Sequence, residues 1–235
     1  MIRLIGWDLD DTLVDDMGAT QQGLSELAEY LGIRDLERLS EQWSIASDYW
    51  FEQYLAGHVS LEENRIRRII ETASACGIAM GNSRALQAFT VYRTGYERGW
   101  QPFWDTISFL QKIRSLGIPV GIVTNGDGPT QRRKLAVAGI DRWVSIVLIS
   151  GEFGAAKPDP SIFRQLLNLA GCQPHESVFV GDRVDKDILP ARALGMHAFH
   201  INRGSQQSGD IKNLLELGDA LKALDPHLSS LGVMI

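Results

Sequence analysis

Several residue types and segment types are scarce in this sequence, and each scarcity narrows the classes of protein to consider. The 235 residues include two cysteines, Cys76 and Cys172, which lie far apart and are expected to be buried thiols rather than a disulfide or a metal site. No apolar stretch approaches the length needed to cross a bilayer. Basic residues do not outnumber acidic ones: the net charge of −6 argues against nucleic acid or a membrane surface as a partner.

The start of the sequence does not predict a signal peptide. The chain enters an apolar run at Ile2 without the charged and apolar regions of a signal peptide. Together with the low cysteine content, this predicts a reducing, cytoplasmic location. The sequence carries no signal for an oligomeric state.

The most informative feature that is present is a pair of aspartates, Asp8 and Asp10, after the first apolar run. Residues 2–7 are typical of a short buried strand, and open α/β sheets bind ligands where such strands end. Side chains two residues apart point to the same side of an extended chain, and crowded carboxylates repel unless a cation or a shared proton relieves them. The pair therefore predicts a metal site, an acid/base couple or both, although a simple turn with Thr12 as a helix cap would also fit.

Three later segments carry further polar groups, mostly at the ends of apolar runs. These groups are a hydroxyl, an amide, a lysine and acids, supplied by Thr124, Asn125, Lys157, Asp182 and Asp187. Thr124 and the free N–H groups of the turn after it could cradle an anion. Lys157 precedes Pro158, which stiffens the backbone beside the ammonium group. Since parallel strands end at one edge of a sheet, one site could use all of these groups.

This four-part set closely resembles the haloacid dehalogenase superfamily of aspartate-nucleophile hydrolases. The resemblance implies that Asp8 is the nucleophile, whose carboxylate would attack phosphorus and form an acyl phosphate. Asp10 would protonate the leaving group and then deprotonate water. Thr124, Asn125 and Lys157 would bind the phosphoryl group and offset its charge.

The resemblance also implies a metal ion. Asp8, the main-chain carbonyl of Asp10 and Asp182 would bind Mg²⁺, which prefers hard oxygen ligands. Asp187 would orient Lys157 or a metal-bound water. Asp185 competes with Asp187 for this role, and the spacing typical of the family favours Asp187.

Residue spacing predicts the domain organisation. From residue 118 onward, strands alternate with helices, which favours a doubly wound parallel sheet, an α/β fold. Residues 18–94 instead show helical periodicity, including a capping-box pattern at Ser60 and Glu63. We therefore expect a catalytic core of residues 1–17 and 95–235, with an inserted all-helical cap of four or five helices at 18–94. Secondary-structure predictions in the core are strands at 144–150 and 197–201 and helices at 129–137, 160–170, 187–194 and 217–224.

The leading functional hypothesis is a Mg²⁺-dependent phosphatase acting on a small phosphate monoester, such as a sugar phosphate or a nucleotide monophosphate. A haloacid dehalogenase is an alternative, but a halide leaving group needs no acid, and Asp10 is present. A phosphomutase would use the same residues with a cap that excludes water. A catalytically silent binding protein would be expected to lack a motif residue, and none is missing.

Overall fold

Five short strands form one parallel sheet in the part of the chain that the structure describes. The computed structural model describes residues 1–204 and 209–232. The order of the strands across the sheet is β3-β2-β1-β4-β5. Their bounds are β1 Leu4–Trp7, β2 Val120–Thr124, β3 Ile146–Ile149, β4 Ser177–Gly181 and β5 His197–His200.

Helices connect the strands and also form a separate run between β1 and β2. The α-helices are α1 Asp16–Leu31, α2 Leu36–Leu55, α3 Leu61–Ala75, α4 Asn82–Arg98, α5 Thr106–Ser115, α6 Gly128–Val137, α7 Ser150–Phe153, α8 Pro160–Ala170, α9 Leu189–Ala193 and α10 Leu214–Leu224. Three 3-10 helices (Asp141–Trp143, Pro174–Glu176, Pro226–Gly232) and a π-helical turn (Val184–Ile188) complete the described elements. Among the described residues, none of the helices combines the length and the apolar character required to span a membrane.

The position of β1 at the centre of the sheet explains how distant segments meet. Ile5 pairs with Val120 of β2 on one side and with Val178 of β4 on the other, both in parallel register. The carboxyl ends of these three strands therefore lie side by side at one edge. The predicted doubly wound α/β fold is confirmed, and its topology brings the segments after residues 7, 124 and 181 together.

Both faces of the sheet are covered by apolar side chains, as a parallel sheet requires. Trp7 belongs to one buried cluster and contacts Phe109 of α5 edge to face, with ring centroids 6.1 Å apart. Leu4 points into the cluster on the other face, where Phe163 of α8 and Phe179 of β4 pack at 5.0 Å. The alternating direction of side chains along each strand produces these two layers.

The chain divides into two compact units, one made of residues 1–15 and 101–235 and the other of residues 16–100. The second unit consists of α1–α4, which enclose an apolar cluster of their own. Trp43 of α2 lies in this cluster, and its ring is tilted by 41° against that of Tyr92 of α4, with ring centroids 4.1 Å apart. Trp43 is therefore a core residue of the helical unit.

Local structure departs from the sequence expectations at three helix starts. The Ser60 hydroxyl caps α3 by accepting from the N–H of Glu63 at 3.1 Å, but the Glu63 carboxylate pairs with Arg67 at 3.3 Å. The helix expected at 187–194 is instead a π-helical turn followed by the short helix α9. The last helix begins at Leu214 rather than Leu217, because the Asn213 side chain accepts from two N–H groups of its first turn.

A buried ion pair ties the loop after β1 to three other segments of the first unit. The Asp105 carboxylate, which is fully buried, receives two hydrogen bonds of 2.8 Å from Arg203 and one of 2.9 Å from the N–H of Leu214. Arg203 also donates to the main-chain carbonyl of Thr12 at 2.7 Å. Burial lowers the pKa of Arg203, and the bonds to Asp105 oppose that shift. The pair therefore supports the loop that carries Asp8 and Asp10.

We predict that Arg203→Met lowers the free energy of unfolding by about 3–5 kcal/mol, because it leaves the Asp105 carboxylate buried without its counter-ion. Urea denaturation followed by circular dichroism measures the loss. The matched control is Arg3→Met, which removes a half-exposed pair with Glu176 at 3.4 Å and should cost less than about 1 kcal/mol. Equal losses in the two variants would contradict the prediction.

Candidate active site

A buried lysine lies between two aspartates at the carboxyl edge of the sheet. The ammonium group of Lys157 donates to Oδ1 of Asp8 and, at 2.7 Å, to Oδ1 of Asp187. All three residues are buried. Burial by itself lowers the pKa of Lys157, but the charges of Asp187 and Asp8 outweigh it and raise that pKa above its ordinary value. Lys157 therefore stays protonated and holds the first and fourth motifs together.

Close backbone approach brings Asp187 into this position. A Cβ on Gly181, the last residue of β4, would collide with the carboxyl group of Asp187, so the carboxylate needs a glycine beside it. The second carboxylate oxygen, Oδ2, accepts from the N–H of Arg183 at 3.1 Å. Asp185, the competing residue, is exposed and lies 3.4 Å from the guanidinium of Arg183. The π-helical turn thus directs Asp187, and not Asp185, toward Lys157.

Three carboxyl groups cluster at the centre of this edge. One oxygen each of Asp8, Asp182 and Asp187 lie within 4.8 Å of one another. Burial, together with the charges of the neighbouring Asp8 and Asp187, raises the pKa of Asp182 to about 9. Burial also raises the pKa of Asp8, although Lys157 opposes this shift. Ionising these clustered carboxyl groups costs free energy, which a bound cation would offset. Hard oxygen donors at this spacing are suited to binding a divalent cation.

The second aspartate of the first motif, Asp10, has different partners. Its Oδ1 accepts from Nζ of Lys134 at 2.5 Å, and its Oδ2 accepts from Nε2 of Gln131 at 2.9 Å. The same Gln131 nitrogen donates to the hydroxyl of Thr124 at 2.6 Å. Asp10 follows the strand end and precedes Asp11, whose backbone has a φ of 54°, a left-handed conformation that aspartate tolerates. The carboxylates of Asp8 and Asp10 are therefore held by separate lysines.

Asn125 connects the second motif to the third through main-chain hydrogen bonds. Its Nδ2 donates to the carbonyl of Lys157 at 2.9 Å, and its Oδ1 accepts from the N–H of Lys157 at 2.8 Å. The sequence interpretation expected Asn125 to bind phosphate directly. That role stays a prediction, and in the structure the Asn125 side chain holds the backbone from which the Lys157 side chain extends.

Comparison with known proteins agrees with this geometry. The family model for haloacid dehalogenase-like hydrolases matches residues 2–195 of the chain. The chain belongs to this family. The superfamily resemblance and the expectation of a hydrolase are thus confirmed.

Relatives of this haloacid dehalogenase-like hydrolase include named phosphatases. A phosphoserine phosphatase from Thermus thermophilus is 31% identical over 231 residues, which span 86% of this chain and 90% of that protein. A glyceraldehyde 3-phosphate phosphatase from Methanothermobacter thermautotrophicus is 38% identical over 202 residues, 86% of each protein. The solved structure of a HAD-hydrolase, YfnB from Bacillus subtilis, bound to magnesium, has a TM-score of 0.81 at 20% identity and covers 94% of this chain and 99% of that one. This last likeness shows the shared fold.

The structure also shows which residues sequence reasoning missed in this hydrolase. Lys134 stands in a basic run with Arg132 and Arg133 and was not predicted to belong to the site, but Lys134 is buried, and so is Gln131. The missed signal is spacing, because Gln131, Lys134 and Leu135 stand at i, i+3 and i+4 on one stripe of α6. A charged residue in an otherwise buried stripe predicts a charged partner. His200, also missed, donates from Nε2 to the carbonyl of Asp182 at 2.9 Å.

We predict that Asn125→Ala lowers the free energy of unfolding by about 1–3 kcal/mol, since the N–H and carbonyl groups of Lys157 lose their hydrogen-bond partner together. Denaturant titration measures this loss. Asn168→Ala, at an exposed position of α8, is the control and should change stability by less than about 0.5 kcal/mol. If the two variants are equally stable, the bonds to Lys157 do not hold this loop.

Proposed function

We propose that this protein is a Mg²⁺-dependent phosphatase that hydrolyses a small phosphate monoester through an aspartyl-phosphate intermediate. The observation that carries the proposal is the grouping of Asp8, Asp10, Thr124 and Lys157 at one edge of the sheet, with the contacts described above. The chain is a phosphatase, as its named relatives are. The aspartyl-phosphate intermediate and the dependence on Mg²⁺ are what we propose.

In the first step, a carboxylate oxygen of Asp8 forms a bond to phosphorus while the bond from phosphorus to the ester oxygen breaks. The carboxyl group of Asp10 gives its proton to the departing alkoxide. Lys157 offsets negative charge on Asp8 and on the phosphoryl oxygens. In the second step, water attacks phosphorus, Asp10 takes the proton of that water, and the carboxylate of Asp8 is released with inorganic phosphate.

The acidic cluster is chemically suited to Mg²⁺. Asp8, Asp182 and the main-chain carbonyl of Asp10 would hold the ion with hard oxygen donors. Both oxygens of Asp187 already accept hydrogen bonds, from Lys157 and Arg183, which supports a role for Asp187 in positioning Lys157 rather than as a ligand. When bound, the ion supplies charge neutralisation at the phosphoryl oxygens.

The carboxylate of Asp10 supports a phosphatase over a dehalogenase. An alkoxide leaving group needs a proton, whereas a halide does not. The structure holds Asp10 with hydrogen bonds from Lys134 and Gln131, an arrangement without use in halide displacement.

We assign substrate selection to the helical unit, residues 16–100, which is inserted between the first and second motifs. The names of the relatives, which include phosphoserine and glyceraldehyde 3-phosphate as substrates, support a small phosphorylated metabolite. The proposed location is the cytoplasm, where such esters occur and where thiols such as Cys76 and Cys172 remain reduced. Release of phosphate from a panel of phosphorylated metabolites tests the reaction class and ranks the substrates.

We predict that Asp8→Asn lowers turnover on the best ester of that panel by at least about 1,000-fold while the protein stays folded, because an amide cannot attack phosphorus. Steady-state phosphate release measures the loss, and acid quenching of the parent enzyme followed by mass spectrometry should find phosphate on the Asp8 peptide. Asp185→Asn makes the same chemical change at an exposed position of the fourth motif and should leave turnover unchanged. Near-normal turnover in Asp8→Asn would refute the covalent mechanism.

Removal of divalent metal should abolish activity, and added Mg²⁺ should restore it, because the clustered carboxyl groups repel one another without a cation. Dialysis against a chelator followed by metal titration tests this expectation. In Asp182→Asn the Mg²⁺ concentration for half-maximal activity should rise at least about tenfold, and calorimetry should show correspondingly weaker Mg²⁺ binding. Full activity in chelator, with no metal in the protein, would disprove the metal dependence.

A further inference from the structure

Lys134 in α6 is a buried lysine that contacts the acidic loop after β1. Its side chain is 1% exposed, and its ammonium group lies 2.5 Å from Oδ1 of Asp10. Lysine is rarely buried unless it is paired, because the ammonium group gives up its hydration. Arg132 and Arg133, adjacent in the same helix, are exposed. Burial is therefore specific to Lys134 and is not a property of the whole basic run.

Gln131 lies one turn earlier on the same face of α6 and completes the arrangement. Its Nε2 carries two hydrogens and donates to Oδ2 of Asp10 and to the hydroxyl of Thr124. Both oxygens of the Asp10 carboxylate are thus bound by side chains from one helix. Because α6 begins directly after the turn that follows Thr124, the helix places Asp10 relative to the second motif.

Asp10 has a structural reason to need such support. It lies in the loop after β1, where it forms an isolated bridge with Val14, and about a third of its side chain, 32%, is exposed. A carboxyl group that transfers a proton must remain within hydrogen-bond reach of the leaving oxygen. A carboxyl group that is bound at both oxygens spends little time in rotamers from which it cannot reach the leaving oxygen.

We propose that Lys134 and Gln131 are positioning residues that hold the carboxyl group of Asp10 in place for proton transfer to the leaving group. This inference rests on the proposed phosphatase function and adds two residues to it. Neither residue is proposed to touch the substrate. Their effect passes through Asp10.

A positioning role for Lys134 and Gln131 would make the rate depend on the leaving group in a way that a purely structural role would not. A good leaving group departs without receiving a proton, so a misplaced Asp10 slows the hydrolysis of its ester little. An ester with a poor leaving group depends on that proton. Phenyl phosphate and p-nitrophenyl phosphate differ little in shape, but phenolate is the poorer leaving group, so this pair isolates the contribution of Asp10.

The experiment compares kcat/KM for these two esters in the full-length parent, in Lys134→Met and in Gln131→Met, with Mg²⁺ present. In each variant the value for phenyl phosphate should fall about tenfold more than the value for p-nitrophenyl phosphate. Arg133→Met, at the exposed neighbouring position, is the matched control and should leave the ratio unchanged. Circular dichroism and thermal melting check that each variant is folded.

Each outcome separates this inference from the proposed function. A parent enzyme that hydrolyses neither these esters nor any member of the metabolite panel would refute the phosphatase proposal itself. An active parent whose folded variants lose both activities by the same factor, or lose neither, would overturn the positioning role alone. Failure of both variants to fold would also overturn it, since Lys134 and Gln131 would then serve stability.

Discussion

The buried ammonium group of Lys157, placed between the carboxylates of Asp8 and Asp187, is the interaction on which the rest of the active site depends. Parallel strands bring the carboxyl ends of β1, β2 and β4 to one edge, and two of these ends carry acids. Carboxylates in a buried setting repel and lose hydration, so each needs a cationic partner or a proton. Lys157 satisfies two of them at once, and in doing so it fixes the distance between the first and fourth motifs.

A second buried lysine, Lys134, plays the corresponding part for Asp10. The two cations reach the edge by different routes: Lys157 from the loop before α8, and Lys134 from the helix after β2. Side chains after β2 link the segments that carry the two lysines. Gln131, on the helix of Lys134, donates to Thr124, and the neighbouring Asn125 donates to the backbone of Lys157. The polar groups are therefore oriented by one another before any substrate arrives, which is the preorganisation that electrostatic catalysis requires.

Support for the loop after β1 also comes from farther along the chain. Arg203 reaches the carbonyl of Thr12 while it neutralises the fully buried Asp105. The loop that contains Asp8 and Asp10 is thus held by hydrogen bonds from Arg203, which lies 191 positions after Thr12 in the chain. Stability of the core and placement of Asp8 and Asp10 are linked here, because one ion pair serves both.

The sequence by itself determined the α/β fold and the family and singled out most of the candidate site residues, because apolar runs that end in acids, a hydroxyl or a turn can be recognised locally. The choice of Asp187 over Asp185 was suggested by spacing, but only the close approach to Gly181 and the π-helical turn direct that carboxylate to Lys157. Spacing along α6 indicates that Lys134 shares a stripe with Leu135, but only the tertiary structure decided that its partner is Asp10. The two residues are 124 positions apart, and the group that a buried lysine meets depends on how α6 packs against a distant loop.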